Sequence, residues 1–194
     1  MRALIGLGNP GEQYKDTRHN LGFVAIDVVA KKLDITIWKK DQNCLVAEYR
    51  TEAGEKVFLV KPQSFMNTSG QPIRQFLDYY NIVTSDVAIV ADDVYVKPGS
   101  ARIRQSGGDG GHNGWKSVIA HLDPDTFWRV KIGCGLYEQH PEKRTSHPPL
   151  DQYVLERQAK HDEKTTQELI DKIVPNLVEW LESGQGLSDQ TVHI

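Results

Sequence analysis

Arg2-Ala3-Leu4-Ile5-Gly6-Leu7-Gly8-Asn9-Pro10-Gly11 opens the chain with an apolar run that breaks on glycine and proline. The run, Arg2 to Leu7, is too short for an ordinary helix. It reads as a buried strand ending in a tight turn at Gly8 to Gly11. Working outward, Leu21, Val24, Val28 and Ile26, Val29, Ala30, Leu33 recur at helical spacing, and Asn20 stands where a helix N-cap belongs. Strand, turn, helix is the start of an alternating α/β pattern.

The pattern continues. Cys44 to Arg50 and Lys56 to Lys61 read as strands joined by a turn at Glu52 to Glu55, a hairpin closed by Pro62. A loop from Gln63 to Ser69 leads to a helix near Pro72 to Tyr80. Asp86 to Ala91 is an apolar strand ending in Asp92 and Asp93. Ala101 to Gln105 is a strand with arginines alternating on one face. After the glycine-rich loop Ser106 to Gly114 come a short helix, Trp115 to Leu122, and a strand, Trp128 to Ile132. Tyr137 to Pro149 is polar and proline-rich and reads as an exposed loop. Lys160 to Leu181 has an amphipathic pattern that Pro175 is expected to kink or split. The reading is one domain over residues 1–194. It is a three-layer α/β sandwich with a mixed, mostly parallel, twisted sheet and helices on both faces.

The 194 residues are enough to bury a core, and no apolar run approaches the ~20 residues of a membrane span. With an N-terminal run too short for a signal peptide, the expectation is a cytoplasmic protein. Cys44 and Cys134 form no metal or CxxC spacing and read as free, packed thiols. The net charge of -3 does not suggest nucleic acid, but the distribution is uneven. Lys97 to Arg144 holds 8 Lys/Arg against 5 Asp/Glu, whereas Ser146 to Ile194 holds 4 against 9. A phosphate-binding face needs only a local patch, so the middle of the chain remains compatible with RNA.

Gly6-Leu7-Gly8-Asn9-Pro10-Gly11 matches the dinucleotide pattern GxGxxG, with Asp27 near the expected acid. However, Glu12 to Arg18 is polar and aperiodic, so no helix N-terminus lies under a pyrophosphate, and Asp27 falls within a helical pattern. A strand-exit turn is the better reading. His19 lies in Thr17-Arg18-His19-Asn20, at a helix N-terminus that favours a neutral ring, as a general base requires. A lone histidine is more often structural. Asp92 ends a buried strand and needs a partner. A histidine would have its tautomer fixed by that carboxylate, and a cap or ion pair is the alternative. Asp93 beside it suggests a metal pair, although neighbours in a strand point to opposite faces. Asn67 in Phe65-Met66-Asn67-Thr68-Ser69-Gly70 either donates to a carbonyl or caps the next helix. The glycines around His112 and Asn113 suggest a mobile loop or close approach to a ligand. There is no GxSxG, HExxH or P-loop, so water activated by His19 is the simplest hydrolytic reading.

Taken together, Gly6 to Gly11, Tyr14, Thr17 to Asn20, Phe65 to Gly70, Asp92, Gly110 to Gly114 and Arg129 to Gly133 closely resemble the bacterial-type peptidyl-tRNA hydrolase family. The pieces occur in family order over roughly residues 2 to 155. Departures are Asp92-Asp93-Val94-Tyr95 after the strand, Asp109 in the glycine loop, and an acidic tail. The resemblance implies an esterase that frees tRNA from peptides left by aborted translation. It places His19, Asp92 and Asn9 at the catalytic centre, with His19 as base and Asp92 as its orienting acid. It implies that Asn9, Asn67 and Asn113 hold the peptide and acceptor end, and that Tyr14 and Phe65 contact the tRNA end. Met66 and His112 join the substrate-binding set. Arg104 and Lys131 fall at the family's phosphate-binding positions, and Arg102, Lys116, Lys143 and Arg144 extend the basic set. The expected partner is peptidyl-tRNA, met by a monomer, with no metal, no small-molecule cofactor and no membrane. Rival readings are a non-catalytic RNA-binding relative, a metal-dependent hydrolase using Asp92, Asp93 and His112, and a nucleotide-binding oxidoreductase.

Overall fold

Strand β1 (Arg2–Gly6) pairs in parallel with β4 (Lys56–Pro62) on one side and β5 (Val87–Asp93) on the other. It is thus the centre of the sheet in the computed structural model, which describes residues 1–135 and 149–194. Strand β7 (Trp128–Gly133) extends the parallel block from β5. Antiparallel wings flank that block: β3 (Cys44–Arg50) and β2 (Lys39–Asp41) beyond β4, and β6 (Ser100–Arg104) and β8 (Gln190–His193) beyond β7. The order of the eight strands is β2-β3-β4-β1-β5-β7-β6-β8.

The near-continuous apolar runs of β1, β4 and β5 follow from burial on both faces. On one face Leu4, Val90 and Val130 pack against α1 (Leu21–Lys32) and α5 (Lys160–Ser183) through Ile26, Val29, Leu169, Ile173 and Leu177. On the other, Ile5, Phe58 and Ile89 pack against α2 (Gly70–Tyr80) and α3 (Asn113–Ile119) through Phe76, Leu77 and Trp115. A short helix, α4 (Leu150–Tyr153), precedes α5. The three-layer mixed sandwich read from the sequence is therefore observed.

Several local readings change. Helix α5 runs unbroken through Pro175. Leu169, Ile170, Ile173 and Val174 before the proline, and Leu177, Trp180 and Leu181 after it, are buried on one stripe, while Pro175 faces out. Burial of that stripe outweighs the ~3 kcal/mol that an interior proline costs. Asn20 does not cap α1, because its side chain bonds elsewhere. Strand β5 extends through Asp92 and Asp93. Strands β2 and β8 and helix α4 went unread, being three or four residues each and short of any periodic signal. The loop read over Tyr137 to Pro149 lies, except for Pro149, outside the described residues, as do Lys143 and Arg144.

Candidate active site

Because β1 sits between β4 and β5, the chain departs to opposite sides of it. This leaves a crevice at the carboxyl end of the parallel strands, where open α/β sheets place their sites. Five segments meet there. The exit of β1 brings Asn9, the turn Arg18–Asn20 brings His19, the turn Met66–Thr68 follows β4, the end of β5 brings Asp92, and the start of α3 brings His112 and Asn113.

Two close approaches hold the frame. A Cβ on Gly22 would lie 2.3 Å from the carbonyl oxygen of Val90 and 2.4 Å from that of Leu7. Only glycine lets the first turn of α1 rest on β1 and β5, and this lowers His19 onto the end of β5. Similarly, a Cβ on Gly70 would lie 2.1 Å from the Ser117 carbonyl oxygen, so α2 and α3 cross in contact. The Gly70 N–H donates to Ser117 Oγ at 2.9 Å, which fixes the Met66–Thr68 turn against the start of α3.

His19 Nδ1 lies 3.0 and 3.1 Å from the two carboxylate oxygens of Asp92. His112 Nε2 lies 3.0 Å from Asp92 Oδ1. The hydrogen-bond pattern assigns the tautomers. His112 Nδ1 accepts from the Gly114 and Trp115 N–H groups, capping α3, so its proton is on Nε2 and donates to Asp92. Asp92 as a carboxylate can only accept, so neutral His19 carries its proton on Nδ1 and keeps a lone pair on Nε2. Asp92 is fully buried. Burial alone pushes its carboxyl up, but the electrostatic pull and the hydrogen bonds of the His112 and His19 rings outweigh this and hold it below the usual carboxylate range. The two rings tilt together at 4.7 Å between centroids.

Asn9 is fixed just as firmly. Asn20 Oδ1 accepts the Asn9 N–H at 2.8 Å and Asn20 Nδ2 donates to the Asn9 carbonyl at 3.0 Å, a two-point grip on the backbone. The Met66 N–H donates to Asn9 Oδ1 at 2.7 Å. This orients the Asn9 amide with Nδ2 as its remaining donor. The sequence reading missed this use of Asn20, because a residue before a helix reads first as its cap.

The other expected residues are placed as follows. Met66 is buried, whereas Phe65, Asn67 and Asn113 are exposed around the crevice. Tyr14 and Phe65 meet edge to face at 6.4 Å. Lys131 bridges to Asp93 at 3.2 Å, with its ammonium 5.8 Å from the Trp115 ring centroid. Arg104 directs Nη1 to the carbonyls of Ile103 and Gln190, both at 2.6 Å, so part of its guanidinium is committed to β8. Asp93 also accepts from the Tyr95 N–H at 2.8 Å. Asp92, Asp93 and His112 therefore do not form the metal cluster weighed from sequence. The carboxyl of Asp93 is turned to Lys131, and His19 takes its place beside Asp92. Asp109 spends its carboxylate on the Gly111 N–H within its own loop.

A second feature was illegible in the sequence. The N–H groups of Arg18 and His19 donate to the carbonyls of Glu156 and Val154 at 3.2 and 2.9 Å. The Arg18 guanidinium donates to the Tyr153 carbonyl and stacks over the Tyr153 ring at 4.0 Å. The Tyr153 hydroxyl in turn donates to the carbonyl of Cys134, just after β7. The turn carrying His19 is thereby clasped by a segment more than a hundred residues away, which no local pattern announces.

The chain matches known proteins over nearly its whole length. The family model described as "Peptidyl-tRNA hydrolase" matches residues 3–193. A peptidyl-tRNA hydrolase of Desulfitobacterium hafniense is 41% identical over 184 residues, 95% of each chain. One from Halalkalibacterium halodurans is 49% identical over 133 residues, covering 69% of this chain and 71% of the relative. The crystal structure of peptidyl-tRNA hydrolase from Acinetobacter baumannii superposes with a TM-score of 0.79 at 30% identity, covering 95% of this chain and 89% of that one. By the family model, these relatives and the shared fold, the chain belongs to the peptidyl-tRNA hydrolase family, hydrolases acting on ester bonds.

Proposed function

We propose that this chain cleaves the ester between a peptide, or an N-blocked aminoacyl group, and the 3′-terminal ribose of tRNA. It would thereby recycle tRNA from stalled or aborted translation in the cytoplasm, acting as a monomer. The observation that carries the reading is the contact of His19 Nδ1 with both carboxylate oxygens of Asp92, which assigns the tautomer of the ring. Its Nδ1 proton is held by Asp92, so Nε2 is free to take a proton from water. As water attacks the ester carbonyl, His19 becomes cationic and Asp92 stabilises it. The hydrogen bond from His112 draws charge from Asp92 and keeps that carboxylate from taking the proton itself. The Asn9 Nδ2 donor, with Asn67 and Asn113 at the rim, suits the developing oxyanion and the peptide backbone. Departure of the ribose oxygen takes up the proton from His19, returning the base to its neutral form.

The nucleophile in this reading is water. Cys44 and Cys134 are buried, and burial pushes the Cys134 thiol well above its ordinary range, so neither suits attack. The reaction is proposed to run without a metal. His19, Asp92 and His112 offer ligand atoms within 4.8 Å of one another, but the His112 tautomer opposes coordination. A metal on Nε2 would force a proton onto Nδ1, which faces two backbone N–H donors. Recognition of tRNA phosphates is assigned to Arg102, Lys116, Lys131 and the uncommitted part of Arg104, with Tyr14, Phe65 and Met66 at the acceptor end.

The test is hydrolysis of an N-blocked aminoacyl-tRNA by the native protein and by His19→Ala, with and without a chelator. Rapid release by the native protein, unchanged by the chelator and lost in the variant, is expected. Activity that survives in His19→Ala refutes the base, and activity lost to the chelator refutes the metal-free route.

A further inference from the structure

Beyond the catalytic crevice, β6 and β8 form a second concave feature. Along these strands the side chains alternate: Ala101, Ile103 and Val192 turn into the core under α5. Ser100, Arg102, Thr191 and His193 therefore share the opposite face. The register pairs Ser100 with His193 and Arg102 with Thr191. A groove of about 510 Å³ opens on that face, walled by the connection after β5 through Val94, Val96 and Lys97.

Its chemistry is one-sided. Among the described residues, no Asp or Glu lines it. Lys97 and Arg102 are exposed, and neither has an ion-pair partner among the described residues. The Ser100 hydroxyl lies 2.8 Å from His193 Nδ1. The strand that brings His193 is itself anchored. Lys172 Nζ donates to the His193 carbonyl at 2.6 Å, and the Ile194 N–H donates to the Gly99 carbonyl at 3.0 Å. The tail of the chain is acidic overall, yet the residues it places in this groove are a threonine and a histidine. Two cations unpaired among the described residues, the hydroxyls of Ser100 and Thr191 and an imidazole suit an anion rich in oxygen acceptors.

The groove is lined by residues that follow the carboxyl ends of β5 and β7, the same edge of the sheet that carries the crevice. Val94 follows Asp92 and Asp93 directly, and Arg102 stands in register with Lys131, the partner of Asp93. A polyanion whose end lies at His19 has this groove as its next station. We propose that the groove built by Lys97, Ser100, Arg102, Thr191 and His193 is a second seat for RNA, holding a backbone phosphodiester of the tRNA stem away from the reacting end. This rests on the reading of the crevice as a peptidyl-tRNA site.

The experiment compares the native protein with Lys97→Glu/His193→Ala on two substrates: an N-blocked aminoacyl-tRNA and the same group on a CCA trinucleotide. With the tRNA, KM should rise about tenfold with kcat within about twofold, and the slope of log affinity against log salt should become shallower by about 1. With the trinucleotide, which lacks the acceptor stem that the seat is proposed to hold, both constants should stay within about twofold. Unchanged KM and salt slope on tRNA overturn the seat, and so does an equal loss on both substrates. Titration with inorganic phosphate and with ATP is the control for free anions: tight binding there, with tRNA KM unaffected, also overturns it. If the native protein cleaves neither substrate, the reading of the crevice fails. The groove is then judged by anisotropy of a labelled acceptor-stem hairpin, where the double variant must bind about tenfold more weakly for the seat to stand.

Discussion

The floor of the crevice and its rim are built on opposite principles. On the floor, Asn9, His19 and Asp92 are buried, and Asn20 and His112 tie them in place. At the rim, Phe65, Asn67 and Asn113 are exposed, and so are Arg102 and Lys97 in the neighbouring groove. A base must be aimed before substrate arrives, and its hydrogen bonds gain strength from burial. Groups that grip a large polyanion work by remaining unsatisfied until it binds. If this division holds, changes on the floor reduce turnover, and changes at the rim reduce affinity.

The sharpest break in that division should come from His19→Ala. Turnover should fall by about 10²- to 10⁴-fold while the melting temperature stays within a few degrees. Near-normal turnover would remove the floor's main actor. Asp92→Asn should follow, at roughly 10²-fold or more. Both histidines donate to this carboxylate, and an amide offers only one accepting oxygen, so the His19 tautomer is no longer fixed.

The same substitution tests the pH dependence. The Asp92 carboxyl is held below its ordinary, unfolded-state value. Its stabilisation is therefore complete above that ordinary value and is lost as pH falls toward the lower, folded one. Denaturation curves of Asp92→Asn should lack this acid component. If native and variant stabilities lose ground in parallel below about pH 4, the carboxylate is not held as described.

His112→Asn separates two roles of one side chain. Asparagine can still cap α3 but is shorter and draws back from Asp92. Stability should change by under about 1 kcal/mol, while kcat drops about tenfold, the size of one hydrogen bond to a charged group. An unchanged kcat would make His112 a cap alone. Tyr153→Phe keeps the ring under Arg18 and removes the hydroxyl bond to Cys134. A loss of about 1 kcal/mol in denaturant unfolding is expected, since the donor goes and a carbonyl stays unpaired. At the rim, Asn67→Ala should leave stability within about 0.5 kcal/mol and raise KM. A fall in kcat alone would move Asn67 onto the floor.

The sequence on its own determined the alternation of strands and helices and the turn at Gly8 to Gly11, and through a family resemblance it named candidate residues for a site. Apolar periodicity and glycine position are local signals, and the ordered motifs pointed to His19 and Asp92 together. Only the tertiary structure decided what those residues touch. The capping position of Asn20 hid its grip on Asn9, and Asp93, adjacent to Asp92 in sequence, turned out to belong to Lys131. The clasp of Arg18 by Tyr153 and the groove completed by His193 join parts of the chain with no common periodicity. Pro175 stayed helical because a buried stripe on either side outweighs one local preference. Local propensity is written residue by residue, whereas a hydrogen-bond partner is chosen by which chain segments the core brings together.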